Sequence, residues 1–282
     1  MKKRTILITI TILMGIWQSC TSSEVNPEIT RDELYNHIKV LASDSLKGRY
    51  PGTAEDRIAA LYIANELKQS GLELMYNNGL QSFEITGNIK SGTNNHLTIN
   101  STNYMLDNDF APVVFSASKL VIAEVVFVGY GFEIEQGESS WNDYKDIDVK
   151  DKWVIILRGE PEKTDLELPF SMYSGLRSKA IKAKDKGAAG VIFVSGKKFD
   201  EADELMKLAK PEGEVEIPVI QIKREVANMI LERLGKTIGE LDEIITKDVN
   251  SFNTNTNLEC QTELIRTKQE TYNVAAKLIT DP

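Results

Sequence analysis

The sequence of 282 residues has few residues of the kinds that form covalent cross-links or bind metals, with only two cysteines and two histidines. Two cysteines cannot build a framework of several disulfides, and Cys20 and Cys260 lie too far apart to form a C-x-x-C zinc motif. His37 and His96 stand outside any H-E-x-x-H or H-x-D pattern. We therefore assign no catalytic residue and no metal ligand to this chain.

Positive charge is also scarce, since 33 Lys and Arg face 42 Asp and Glu and the net charge is −9. Nucleic-acid-binding proteins usually carry a basic stripe, and this sequence has none, so we expect no nucleic-acid partner. With 41% hydrophobic and 27% charged residues, the composition is typical of a globular chain. It excludes a disordered, fibrous or multi-span membrane protein.

A long apolar run occurs at the start of the chain, where residues 5–17 follow three basic residues at positions 2–4. The run is shorter than the roughly 20 apolar residues that span a bilayer, but it has the length of a signal-peptide core. The small residue before Cys20 makes this site resemble the lipobox of bacterial lipoproteins. We therefore expect a signal peptide over 1–19, lipid attachment at Cys20, a polar tether over 20–28 and a location in the cell envelope, periplasmic or at the outer membrane. An ordinary secretory signal with a coincidental cysteine is the alternative.

After the tether, predicted helices and strands follow one another, which indicates an α/β or α+β fold. The capping box Thr30-x-x-Glu33 predicts a helix over about 31–43, and Thr53-x-x-Asp56 begins a second helix that ends before Gly71. Apolar or alternating runs predict strands at 81–86, 120–132, 153–157, 190–194, 217–222 and 258–264. Further helices are predicted over about 175–186, over 224–234 and after Thr237.

Several residues with reactive or charged side chains are predicted to have structural roles. Cys260 alternates with polar residues in a strand, which favours a small buried core residue over a nucleophile. His37 is predicted on the flank of the first helix, and His96 in an exposed polar loop. The acidic run 200–204 is predicted to be a solvated helix face, and Arg49 a turn residue.

Three blocks of sequence together resemble known families. They are LASDSLKGRYPGT (41–53) with ELKQSGLE (66–73); FVGYGF (127–132), WNDYKDIDVKDKWVIILRGEP (141–161) and KAIKAKDKGAAGVIFV (179–194); and ETYNVAAKLI (270–279). The first and third blocks resemble segments of bacterial zinc aminopeptidases of metallopeptidase family 28. The second is similar to the protease-associated (PA) domain, which several exopeptidases and subtilisin-like proteases carry. A subtilisin-like protein is less favoured, because the first and third blocks do not belong to that family.

The resemblance implies a PA domain, a β-sandwich or barrel flanked by helices, inserted after an incomplete N-terminal edge of a zinc-exopeptidase α/β fold. It implies N-terminal helices and a first strand over 29–110, a PA domain over 111–266 and a re-entry strand over 267–282. In the aminopeptidase family, two zinc ions are held by His, Asp and Glu ligands that follow the re-entry strand. Zinc is therefore expected for the full-length family member and not for this chain.

The leading hypothesis is the N-terminal, PA-domain-containing portion of an exported zinc aminopeptidase that hydrolyses peptides outside the cytoplasm, inactive as given. The alternative is a non-catalytic, lipid-anchored PA-domain protein that binds peptides or proteins. A third hypothesis is an anchor for a separate peptidase subunit. The expected partners are a peptide or protein, the membrane through the lipid anchor, and the missing peptidase domain.

Overall fold

The structure is a computed structural model that describes residues 29–137, 139–161, 168–245 and 251–279. The chain has the mixed α/β fold that the sequence predicts. It divides into two compact units, of which the smaller contains residues 29–84 and 270–279 and the larger runs from Ile85 to Gln269. The predicted domain boundaries at 111 and 266 both lie inside the larger unit.

The helices and strands follow one another along the chain, and the longest connection within one described range covers residues 195–218. In order they are α1 (Arg31–Leu41), α2 (Ala54–Gln69), β1 (Glu73–Leu74), β2 (Leu80–Ser91), β3 (His96–Ile99), β4 (Thr102–Tyr104), β5 (Phe110–Pro112), β6 (Leu120–Val128), β7 (Glu133–Gln136), β8 (Ser139–Asn142), β9 (Trp153–Leu157), α3 (Phe170–Tyr173), α4 (Leu176–Asp185), β10 (Gly190–Val194), β11 (Val219–Ile222), α5 (Arg224–Leu231), α6 (Ile238–Ile244), β12 (Ser251–Gln261), β13 (Leu264–Val274) and β14 (Ala276–Lys277). Short 3-10 turns occur at Asp44–Leu46 and Glu232–Leu234.

An eight-stranded sheet forms the centre of the larger unit, in the order β4-β3-β12-β6-β9-β10-β11-β5. The four strands β6, β9, β10 and β11 are parallel, and the strands on either side of them are antiparallel. In β9, Trp153 and Ile155 face one apolar cluster, while Val154 and Ile156 face another on the opposite side of the sheet. Burial on both faces explains why the central strands are unbroken apolar runs.

Helices cover both faces of this sheet. On one face, α5 and α6 contribute Ile230 and Leu241, both almost completely buried. On the other face, α4 contributes Ala180 and Ala183, whose small side chains let the helix approach the strands closely. The parallel strands are therefore enclosed, and their ends are the parts of the sheet left open for ligands.

The smaller unit is held together by helix caps and small side chains. Thr30 and Glu33 form the predicted capping box at the start of α1. The buried residues of α2 are Ala59, Ala60 and Ala64, whereas no residue of α1, which the structure describes in full, is buried. The strands β1 and β14 pair antiparallel, and the Thr271 hydroxyl donates a hydrogen bond of 2.7 Å to the Asp56 carboxylate.

Two paired strands, β2 and β13, connect the units along the chain. The chain leaves the smaller unit within β2 and returns to it within β13. β2 contains the predicted strand 81–86, and β13 contains the first part of the re-entry strand that the resemblance implies, so these two segments pair with each other. The short strand β14 pairs with β1 instead.

Candidate functional site

The carboxyl ends of β6, β9 and β10 lie at one edge of the sheet, because these neighbouring strands are parallel. Gly129 and Tyr130 follow β6, Gly159 and Glu160 follow β9 after one intervening residue, and Ser195 follows β10. In α/β sheets of this kind, ligands bind outside the carboxyl ends of the strands. This edge is therefore the candidate functional site.

A cavity of about 380 Å³ lies at this edge, and we call it the carboxyl-edge cavity. Its lining residues come from the loops after β6, β9 and β10 and from α6, together with one residue that follows α3. They are Tyr130, Gly159, Glu160, Pro161, Ser174, Lys198, Phe199 and Asp242. The lining combines two aromatic rings, two acidic side chains and one lysine.

Asp242 reaches the cavity from α6, a helix that begins at the predicted capping box of Thr237 and Glu240. Its side chain accepts a hydrogen bond of 3.2 Å from the Tyr130 hydroxyl at Oδ1 and one of 3.4 Å from the Lys198 backbone N–H at Oδ2. Asp242 is only 6% exposed. The two donors are uncharged, so these hydrogen bonds orient the carboxylate without supplying a positive partner.

Glu160 also lines the cavity, from the turn that follows β9. Its Oε2 atom is buried and has no hydrogen-bond partner among the described residues. The preceding Gly159 has φ +79°, and a Cβ atom there would lie 2.4 Å from the ring of Phe199. The turn therefore needs glycine both for its backbone conformation and for the close approach of Phe199. The centroid of the Phe199 ring also lies 5.0 Å from the Arg158 guanidinium carbon.

Lys179, from α4, supports this turn from inside the protein. Its Nζ atom donates hydrogen bonds to the carbonyl oxygens of Leu157 (3.0 Å) and Gly159 (2.6 Å), and it lies 4.4 Å from the centroid of the Phe132 ring. Burial lowers the pKa of Lys179 to about 7, although the charges of Asp143 and Glu160 oppose this shift. Lys179 does not line the cavity, and its contacts position the backbone that does.

Asp143 is the second buried charged group near this edge, and it is completely inaccessible to solvent. Burial raises its pKa to about 7, although the backbone N–H of Phe132 donates a 2.8 Å hydrogen bond to Oδ2. Burial likewise raises the pKa of the adjacent Tyr144 hydroxyl. Asp143 and Lys179 thus hold the loops after β6 and β9 from within, and shifted pKa values of this kind arise in structural networks as well as in active sites.

A second cavity, of about 400 Å³, has a mainly apolar lining that includes Val113, Phe115 and Leu176. Its lining includes residues that follow β5 and the first residues of α4, and none of the residues that directly follow β6 or β9. Its charged residues, such as Arg177 and Glu212, are of both signs. Each cavity has an excess of a single charge, negative in the carboxyl-edge cavity and positive in the second one. The carboxyl-edge cavity is the better candidate because it lies at the carboxyl ends of the parallel strands.

The residues that the sequence singled out do not converge on either cavity. Cys260 is a buried residue of β12, as predicted, and burial raises its pKa to about 12, which excludes a thiolate nucleophile near neutral pH. On α1, His37 contacts the Tyr62 hydroxyl through Nδ1 at 2.8 Å. His96 is exposed as predicted, but it begins strand β3 and does not lie in a loop, and its Nε2 is 3.1 Å from the Glu259 carboxylate.

The prediction of a helix face for the acidic run 200–204 is wrong, because this segment has no helical structure. Arg224 organises it, donating side-chain hydrogen bonds to the carbonyl oxygens of Asp200 (2.5 Å) and Glu201 (2.7 Å). The Asp203 carboxylate in turn accepts a 2.8 Å hydrogen bond from the backbone N–H of Arg224. Arg49 occupies a turn with φ +54°, as predicted.

The predicted lipid attachment site Cys20, with the signal peptide and the whole tether, lies outside the described residues. Within the described ranges, no three His, Cys, Asp or Glu side chains are placed to hold a metal ion together. The residues that the structure describes therefore do not fit a zinc pair. Among the helices in those ranges, none has both the length and the apolar character needed to cross a bilayer.

Comparison with known families identifies the central part of the larger unit. Residues 118–230 match the family model of the PA domain. The match includes β6, β9, β10 and β11 and therefore most of the cavity lining, while Asp242 lies just beyond it. The mixed α/β fold with a PA domain is thus the fold class that the sequence predicts. A search of curated proteins gives no match.

Several solved structures are similar to this chain at low identity. The aminopeptidase from Aneurinibacillus sp. strain AM-1 is 17% identical, with a TM-score of 0.44, over 87% of this chain and 47% of that protein. A zinc aminopeptidase from Bacillus subtilis is 20% identical, with a TM-score of 0.37, over 87% and 46%. A peptidase M28 precursor from Shewanella amazonensis is 16% identical, with a TM-score of 0.32, over 86% and 52%. The chain spans about half the length of the solved structures it matches.

The two acidic residues of the cavity, Glu160 and Asp242, were not singled out by the sequence motifs. A signal for Glu160 is present, because the apolar runs of β6, β9 and β10 are each followed within two residues by a glycine. Such glycines mark the ends of strands at one edge of a parallel sheet. Nothing comparable marks Asp242, which lies within an amphipathic helix.

Proposed function

We propose that this chain is the N-terminal, PA-domain-containing portion of an exported zinc-dependent aminopeptidase, anchored in the cell envelope by a lipid on Cys20. The observation that carries the proposal is the position of the PA domain in the chain. The residues before it and after it build one separate unit together, which is the arrangement of a domain inserted into another fold. The order of the three sequence blocks agrees with this arrangement.

The exposed apolar surface of the smaller unit supports the proposal. Leu34 and Ile38 on α1 are 53% and 65% exposed, and Ile58 and Leu61 on α2 are 55% and 45% exposed. Leu278, next to β14, is 68% exposed. Large apolar side chains grouped on one element usually mark a surface that another element covers. We propose that the remainder of a peptidase domain covers these helices.

In the family that the sequence resembles, the zinc ions supply the Lewis acid and the activated water for peptide hydrolysis. The histidines of this chain have other contacts, since His37 contacts Tyr62 and His96 contacts Glu259. We therefore expect the purified chain not to hydrolyse aminoacyl-nitroanilides, with or without added zinc. Zinc-dependent turnover by pure protein, abolished by a chelator, would contradict this expectation.

The DNA that follows codon 282 gives a direct test of the proposal. We expect the reading frame to continue with a His-x-Asp motif and a Glu-Glu pair, the family's ligand and general-base residues. A stop codon without metallopeptidase sequence downstream would defeat the proposal. The same reading frame reports whether the exposed face of α1 and α2 has a covering domain in the same polypeptide.

The second candidate function is a lipid-anchored PA-domain protein that binds peptides or proteins without catalysis. The carboxyl-edge cavity favours it, because a partly buried cavity with oriented acidic groups is suited to binding by itself. This function predicts a stable chain with measurable peptide affinity and no zinc requirement. Aggregation of the chain expressed from residue 20, in the absence of any further domain, would count against it.

A further inference from the structure

The acidic groups of the carboxyl-edge cavity have unused capacity to accept hydrogen bonds. Asp242 accepts from two neutral donors, at 3.2 and 3.4 Å, and Oε2 of Glu160 accepts from no described residue. A carboxylate has about four lone-pair sites, so both groups can take further donors. The buried carboxylate of Asp242 accepts from neutral donors only, and a positively charged donor relieves the cost of its burial more than a neutral one does. The charge of Lys179 already acts on Glu160, which contributes a buried acceptor atom without a hydrogen bond.

We propose that the carboxyl-edge cavity binds an ammonium group on an aliphatic chain, such as a lysine side chain or a peptide N-terminus. The inference rests on the proposed peptide-related function for its choice of peptides as the source of the amine. Glu160 and Asp242 accept from the ammonium group, and the aliphatic chain lies against Tyr130 and Phe199.

The charges that line the cavity fit a cation better than an anion, because the two acidic residues Glu160 and Asp242 outnumber Lys198. The rings of Tyr130 and Phe199 already have cations of the protein near them, with Lys179 Nζ at 5.3 Å and the Arg158 guanidinium at 5.0 Å from the ring centroids. We therefore assign to these rings the apolar contact with the aliphatic chain. Lys198 opposes this preference, but its side chain is exposed to solvent, where its charge is screened. The volume of about 380 Å³ is within the range of small-ligand sites.

The test uses three ligands with closely similar carbon skeletons and the whole chain. N-acetyl-lysinamide carries a side-chain ammonium, norleucinamide carries an α-ammonium, and N-acetyl-norleucinamide is neutral. Dissociation constants are measured by isothermal titration calorimetry at pH 7 and low salt. We expect at least one ammonium ligand to bind about tenfold more tightly than the neutral one, the gain from a charge-assisted hydrogen bond. If N-acetyl-lysinamide binds more tightly, the natural amine is a lysine side chain; if norleucinamide does, it is a peptide N-terminus.

Variants connect the binding to the cavity. Glu160→Gln keeps the shape of the side chain and removes its charge, so the affinity for the ammonium ligand should fall about tenfold. Glu135→Gln, in the exposed hairpin of β7, is the matched control and should leave the affinity unchanged. Lys198→Met removes an exposed opposing charge, and we expect it to strengthen binding about twofold. Because Lys198 is exposed, this second variant tests the site even if Glu160→Gln does not fold.

Equal affinities for the three ligands overturn the inference, as do equal affinities of wild type, Glu160→Gln and Lys198→Met for the ammonium ligands. Either result leaves the aminopeptidase proposal standing, because that proposal is tested by the coding sequence beyond codon 282. Conversely, a stop codon there leaves the ammonium site intact and assigns it to the non-catalytic binding function.

Discussion

The close packing of Gly190 against Trp153 in the central sheet predicts that adding a methyl group at position 190 destabilises the fold. Gly190 of β10 is directly opposite Trp153 of β9 in the parallel pair. A Cβ atom at position 190 would lie 2.3 Å from a carbon of the Trp153 ring, well inside van der Waals contact. The ring is completely buried, and its Nε1 donates a hydrogen bond of 3.4 Å to the carbonyl oxygen of Val121, so it has little room to move. We expect Gly190→Ala to lower the free energy of unfolding by about 3 kcal/mol, the upper part of the usual range for overpacking.

The matched control is the same change at Gly239, in helix α6. A Cβ atom there would meet no atom closer than the Thr237 hydroxyl oxygen at 4.0 Å. Alanine restricts the unfolded chain more than glycine does, so Gly239→Ala should raise the free energy of unfolding by about 0.5–1 kcal/mol. Urea unfolding followed by tryptophan fluorescence reports the larger unit, where Trp141 and Trp153 are buried. If Gly190→Ala proves as stable as Gly239→Ala, the packing argument is wrong.

Two further predictions concern buried ionisable groups. The pKa of Lys179 is about 7 in the fold against its ordinary 10.5, so the unfolded chain binds more protons between these pH values and the free energy of unfolding rises with pH across that window. The rise corresponds to about 5 kcal/mol over the whole window and to about half of that between pH 7.5 and 9.5. Urea unfolding at these two pH values measures it, and Lys179→Met should abolish it; an unchanged slope would contradict the assignment. Because Cys260 is fully buried, its thiol in a Cys20→Ser chain should not react with Ellman's reagent at pH 8 until urea unfolds the protein.

The strands of the central sheet could be predicted because of how they are buried. The runs at 153–157 and 190–194 are apolar at every position, as the sequence of a strand covered on both faces must be. The helix starts at Thr30 and Thr237 could also be predicted, since capping depends on residues only three positions apart. These features depend on local sequence alone.

The features that could not be predicted depend on contacts between distant parts of the chain. α2 buries its alanines and leaves Ile58 and Leu61 exposed, so the size of the apolar side chains gives no guide to its packed face. The acidic run 200–204 has the composition of a solvated helix, but the guanidinium of Arg224 holds its carbonyl oxygens in a non-helical turn. In the cavity, Asp242 meets Tyr130 across more than a hundred positions of sequence.

The pairing of β2 with β13 has an evolutionary consequence. Two paired strands lie about 4.8 Å apart, so the chain enters and leaves the larger unit at nearly the same point. A genetic rearrangement that adds, exchanges or deletes everything between them leaves the host polypeptide with a gap that a tight hairpin can close. A single recombination event can therefore add or remove the larger unit without changes in the flanking sequence.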